Sequence, residues 1–236
     1  MRDADATDAA IAITFRGVRG SHPMPGPTTM RYGGNTASQE IRVGGRLIVF
    51  DAGTGIISLG HELAGSGRPQ DMALFFSHNH HDHLDGLLYF RPAYMDSTTV
   101  HIFGPAEERG DIGHALELLS RPAAHPVPLT RMGMRYAVTV LNGGERVAWR
   151  PGEPAPRLAG KDEKLTDADI VVKMLKNRLH PVDGVLNFRL EYGGRSYVYA
   201  TDVEGDEEKG DAALAEFARD ADVLAHDGQY MSEEYF

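Results

Sequence analysis

Four of the chain's 11 histidines fall within six consecutive residues, His78-Asn79-His80-His81-Asp82-His83, and Leu84-Asp85-Gly86 follows directly. The cluster comes straight after the apolar run Met72-Ala73-Leu74-Phe75-Phe76. That order constrains the fold, because imidazoles at this density act together only if something rigid aims them, and the end of a buried strand does so. Imidazole and carboxylate donors packed this closely suit a borderline cation such as zinc. In an extended segment His78 and His80 project to the same side, and a tight turn after them brings Asp82 and His83 back toward a second ion. A surface metal trap or a purification remnant has a similar composition. Remnants sit at termini, however, whereas this tract is internal and is followed by a helix-like segment over residues 84–90.

Composition narrows the chemistry further. The 236 residues, 42% of them hydrophobic, include 27 glycines and 13 prolines, which suits a loop-rich globular protein rather than a disordered one. That length fits one large α/β or all-β domain over residues 1–236 with a sizeable core. Cysteine is absent, so disulfides and thiolate ligands are excluded and any metal is held by nitrogen and oxygen. The first eight residues are polar and acidic, without the basic start and apolar stretch of a secretory signal. No apolar run approaches the roughly 20 residues of a membrane span, and the expected location is the cytoplasm. A formal net charge of -10 argues against broad binding of long nucleic acids, which depends on Lys and Arg neutralising phosphates. A local basic patch, or the metals themselves, can still attract a small anion.

Alternation and turn residues predict strands over residues 10–16, 38–43, 46–51, 72–78, 99–103, 135–141, 146–149, 170–179, 185–191, 195–201 and 221–225. Helical spacing predicts helices over residues 55–63, 111–119 and 211–219. Residues 150–166, rich in Pro, Gly and charge, read as a solvated surface connection in preference to a lid over the site. Two other segments end in reactive groups: Leu179-His180-Pro181 closes one strand-like run, and Tyr199-Ala200-Thr201-Asp202 closes another. Strand ends are where α/β scaffolds place such groups. Alone, each reads as structural; beside the cluster, each becomes a candidate ligand.

With these residues assembled, the chain resembles a metallo-β-lactamase-fold metallohydrolase. The His-x-His-x-Asp-His pattern at His78 to His83, then His180, then Asp202 follow the superfamily's order. Gly17-Val18-Arg19-Gly20-Ser21-His22-Pro23, Arg31-Tyr32-Gly33-Gly34-Asn35-Thr36 and Phe50-Asp51-Ala52-Gly53-Thr54-Gly55 resemble the branch that includes ribonuclease Z and small phosphodiesterases. The resemblance implies an α/β fold, a four-layer αββα sandwich carrying two divalent ions at one edge, zinc first, with manganese or iron admitted. His78, His80 and His180 would hold the first ion and Asp82 and His83 the second, with Asp202 bridging. Two ions about 3.5–4 Å apart can share a water, lower its pKa and stabilise an in-line displacement.

The resemblance also implies a further histidine, well after the bridging aspartate, that completes the second ion's shell. Here the only later histidine is His226, in Leu224-Ala225-His226-Asp227-Gly228. Three readings stay open: the sequence stops short of the family's C-terminal strand and helix, the second site is weak or empty, or His226 or a partner subunit completes it. Asp82 and His226 are the catalytic candidates, His226 by supporting or capping rather than by ligation. Asp51 is expected to organise the loop beneath the metals, His81 to point away, Asp85 to play at most a supporting part, and Asn35 and Thr36 to brace a turn or face the substrate. Phe103 is read as core in preference to a substrate wall, and His22, His61, His101, His114 and His125 as ordinary. The expected activity is hydrolysis of phosphodiester bonds in a small or nucleotide-like substrate by a metal-bound hydroxide. Hydrolysis of a lactone, thioester or β-lactam, and a non-catalytic metal-stabilised binding module, are the alternatives. A homodimer is expected by analogy alone.

Overall fold

The structure, a computed structural model, describes residues 11–181, 183–204 and 210–228. One sheet carries β1 (Ile11–Gly17), β2 (Ser38–Val43), β3 (Arg46–Phe50), β4 (Gln70–Phe75), β5 (Thr98–Pro105) and β6 (Arg135–Leu141) side by side in chain order. β1, β2 and β3 pair antiparallel, the first two joined by the long loop over residues 18–37 and the last two by a tight turn at Gly44-Gly45, and β4, β5 and β6 add in parallel. Parallel neighbours need crossovers, and these hold α1 (Ile56–Gly65), α2 (His81–Leu84) and α3 (Ile112–Leu119). The second sheet contains β7 (Arg146–Trp149), β8 (Arg157–Leu158), β9 (Ile170–Asn177), β10 (Val185–Tyr192), β11 (Arg195–Ala200) and β12 (Val223–His226), in the order β12-β11-β10-β9-β7-β8. α4 (Ala212–Phe217) lies between β11 and β12 in the chain.

Strand alternation divides the interior into two cores. Leu47 and Val49 of β3, with Met72 and Leu74 of β4, face the helices and pack with Ile56 and Leu59 of α1 and Ile112 and Leu116 of α3. Their neighbours Ile48, Phe50, Ala73 and Phe75 face the other sheet, meeting Val172, Met174, Phe188, Leu190, Tyr197 and Tyr199. On the far side of the second sheet, Arg189 donates to the carbonyls of Phe217 and Arg219 at the end of α4 (2.9 and 2.7 Å). The layers therefore run helix, sheet, sheet, helix, as the resemblance implies. No helix among the described residues is long and apolar enough to cross a membrane.

The strands that serve the histidine cluster stop earlier than alternation predicts. β3 ends at Phe50 and β11 at Ala200, because Asp51 and Asp202 take left-handed backbone conformations with φ of 59° and 49°, which aspartate tolerates better than most residues. β9 ends at Asn177, whose side-chain oxygen accepts the Leu179 N–H (2.9 Å) and turns the chain before His180. The segment over residues 84–90 is not a regular helix: α2 makes one turn, and 3₁₀ turns at Asp85–Tyr89 and Arg91–Tyr94 follow. Asp111 and Asp211 cap α3 and α4 by accepting the His114 and Leu214 N–H groups (3.0 and 2.8 Å), which places both residues just outside their helices. The prediction over residues 150–166 missed β8, which pairs with β7 at the sheet's far edge. Arg150 and Arg157 both reach Glu163 there (2.8 Å each), so this stretch is a pinned edge connection.

Candidate metal centre

Both sheets send groups to one edge. β4 leads into Ser77 and His78, and α2 carries Asp82 and His83; the second sheet contributes His180 after β9 and Asp202 after β11. Three imidazoles gather around that of His78, with ring-centroid separations of 4.4 Å to His80, 4.3 Å to His83 and 4.8 Å to His180. Two sets of donor atoms lie within 4.8 Å of one another: His78, His80 and His180, and His78, His83 and Asp202. His78 belongs to both.

A hydrogen-bond network decides which nitrogen of each ring is free. Asp51 is fully buried and accepts from the Ser77 N–H (2.8 Å), the Ser77 hydroxyl (2.8 Å), the Tyr199 hydroxyl (2.9 Å) and His83 Nδ1–H (2.8 Å). Because the Ser77 hydroxyl donates to Asp51, its oxygen accepts from His78 Nδ1–H at 3.0 Å. That tautomer leaves a bare lone pair on His78 Nε2, and this atom is buried with no hydrogen-bond partner. An orphaned buried acceptor is costly, and a cation is what such an acceptor fits. His180 is set the same way: its Nδ1–H donates to Glu204 Oε1 (3.1 Å), and its Nε2 faces His80 Nδ1 at 3.2 Å. Carboxylate partners on the outer nitrogens of ligating histidines orient the ring and raise its basicity.

Charge favours the same chemistry. Burial, then the charge of His83, pushes His78 well below the ordinary histidine value, and His80 is lowered by partial desolvation and by His180. Both rings are therefore neutral donors near pH 7, as ligation requires. Burial also disfavours a charged His83, but Asp51, Asp202 and Asp82 outweigh it and hold the ring well above its ordinary value. Asp202 lies 3.1 Å from His83 Nε2. Although burial opposes the charged form, the hydrogen bond and charge of His83 keep the Asp202 carboxyl far below the usual range. His83 would have to give up its Nε2 proton to serve as a ligand in this second set.

Two candidates stand outside both sets among the described residues. Asp82 turns Oδ2 to the Ser21 N–H (2.8 Å), 3.5 Å from His83 Nε2. His226 is exposed, with Nδ1 2.7 Å from the Asp227 carbonyl oxygen, and lines a pocket of ≈ 300 Å³ together with His83 and Asp202. His81 points away and meets Asp85 at 3.2 Å. Thr36 is buried and braces Thr54 by accepting its N–H (2.8 Å), with Asn35 Oδ1 alongside at 3.3 Å, so both are structural. Phe103 stacks on Phe75 in the inter-sheet core (4.7 Å). Ser77, Tyr199 and Glu204 were not singled out from sequence; only Ser77, next to the cluster, carried a signal that could have shown it.

None of the curated proteins compared with the chain matches it. Among solved structures, the metallo-beta-lactamase fold protein YhfI from Bacillus subtilis is 18% identical with a TM-score of 0.54, over 91% of this chain and 69% of that one. A diphosphatase from the PhnP family is 15% identical with a TM-score of 0.55, over 91% of this chain and 73% of that one. At such identities the likeness speaks for the fold, whose relatives bind divalent metals. Residues 46–236, a span that includes every residue of both donor sets, match the model of the beta-lactamase superfamily domain, and the chain belongs to this superfamily, most of whose members are metal-dependent hydrolases.

Proposed function

We propose that the chain hydrolyses phosphodiester bonds in a small or nucleotide-like substrate. His78, His80 and His180 would hold one divalent ion, and His83 a second with Asp82 beside it, while Asp202 lies between. The observation that carries this reading is His78, whose orphaned buried Nε2 sits where the two donor sets meet. Zinc suits an all-nitrogen-and-oxygen site, and manganese and iron are admitted. Bound there, such ions would supply a nucleophile at neutral pH and neutralise charge developing on the phosphoryl oxygens.

The chain's own groups do the positioning. Glu204 aims His180, and Asp51 aims His83 directly and His78 through Ser77. Asp82 stays ionised because the hydrogen bond and charge of His83, with the Ser21 N–H, outweigh its burial, so it offers a fixed negative charge beside the site. His226, at the rim of the pocket that reaches His83 and Asp202, is placed to face substrate rather than metal. The similarity to a PhnP-family diphosphatase supports the phosphoryl class, and the net charge of -10 supports a small substrate over a long nucleic acid.

The test is turnover of bis(p-nitrophenyl) phosphate and cyclic nucleotides with added zinc or manganese. His80→Ala should lower kcat/KM by more than the roughly 100-fold that loss of a supporting partner costs. Retained activity in that variant would overturn the assignment. Faster turnover of lactones, thioesters or β-lactams would move it to acyl hydrolysis. Absence of bound metal, with a melting temperature unchanged by chelator, would leave a binding module.

A further inference from the structure

Behind the histidine loop, on the side away from His83 and Asp202, a cavity of ≈ 440 Å³ opens between that loop and α3. Leu84, Ala115, Leu118 and Leu119 make it predominantly apolar. Its far end is built by a close approach: Gly110 has φ of +134°, and a Cβ there would lie 2.5 Å from Cδ2 of His114.

The polar side chains around this cavity are Asn79, His81, Glu107, Arg109, His114 and Arg121, and they are incompletely used. Asn79, between His78 and His80, donates its backbone N–H to Glu107 Oε1 and its side-chain amide to the Gly110 carbonyl, each at 3.2 Å. Its remaining atom, Oδ1, is buried with no partner. Arg109 and Arg121 also line the cavity, both exposed. Among the described residues neither guanidinium has an ion-pair or hydrogen-bond partner. On a chain of net charge -10, two unpaired guanidiniums beside an apolar cavity select for anions. The one carboxylate in the lining, Glu107, is engaged by the Asn79 N–H and pushed toward its neutral form by burial.

We propose that this cavity is a subsite for an apolar acid: a hydrocarbon or aromatic arm seated against Leu84, Leu118 and Leu119, with its carboxylate or phosphate on Arg109 and Arg121. Asn79 is flanked by two residues of the first donor set, so the subsite lies directly behind the loop that would hold a substrate's reacting group. The identity of that group rests on the phosphodiester reading, and binding of a free acid does not.

Titration of the full chain with phenylbutyrate, benzylphosphonate, neutral phenylbutyramide and cationic phenylbutylamine tests the subsite, with backbone amide NMR shifts as the readout. The two acids should bind about tenfold or more tighter than the amide and amine and shift Asn79 and α3; the tighter acid identifies the carboxylate or phosphate source. Arg109→Gln with Arg121→Gln, exposed positions whose loss leaves the fold intact, should erase that preference, and Leu118→Glu should abolish binding. Equal affinity for acid and amide, or a preference that survives in the double variant, would overturn the proposal. The two readings fail separately. Acid binding without turnover of any phosphodiester removes the hydrolase assignment alone, and turnover without any preference for acid binding removes the subsite alone.

Discussion

Asp51 shows how one side chain sets several others. Its four donors come from Ser77, His83 and, across the inter-sheet core, Tyr199. Asp51→Asn keeps the shape but cannot accept from all of them, so metal affinity should fall about 10–100-fold in competition with a chromophoric chelator. Tyr199→Phe removes one neutral donor and should cost about 1 kcal/mol in urea unfolding while leaving metal affinity near that of the parent. Unchanged affinity in Asp51→Asn would show that the histidines are aimed by something else. Asp51 was legible in the sequence as an aspartate closing a strand before Gly53. Tyr199 was not, because the two lie 148 positions apart and only the stacking of one sheet on the other joins them.

At the scale of elements, the histidine loop docks by backbone contact. A Cβ on Gly86 would lie 2.0 Å from the Gly53 carbonyl oxygen, and a Cβ on Gly53 would lie 2.1 Å from that of Asp82. Gly86→Ala should therefore push α2 off the loop before α1, costing about 1–3 kcal/mol and weakening metal binding with it; calorimetry with and without zinc separates the two effects. On the other side of α1, Arg16 of β1 ties Glu40 of β2 to Glu62 (2.5 and 2.6 Å). The hydrogen bond from Arg16 holds the Glu62 carboxyl below its ordinary value of 4.5. A depressed carboxyl stabilises the fold above that value and loses its contribution as the pH falls through the folded pKa. Glu62→Gln should thus cost at most about 1 kcal/mol near neutrality, and the two proteins should converge in acid; a gap that persists at low pH would contradict the ion-pair account. Period-2 alternation made most strands legible. Their ends were not, because left-handed Asp51 and Asp202 and the Asn177 turn stop β3, β11 and β9 by local geometry that hydropathy does not encode.

For the molecule as a whole, the donor groups join the two sheets: one contributes the loop after β4, and the other His180 and Asp202. Metal bound there would tie the sheets together and so favour the folded chain. At a hundredfold excess over Kd it adds about 2.7 kcal/mol, equivalent to about 5–10 °C in a chain of this size, and EDTA should remove that increment. The central claim is that both donor sets meet at His78, and metal content per folded chain tests it most directly. Zinc-reconstituted parent protein should carry about two ions, and His78→Ala and His180→Ala, each shown to be folded by circular dichroism, should keep only the second. A folded His78→Ala with the parent's full metal content would contradict the account.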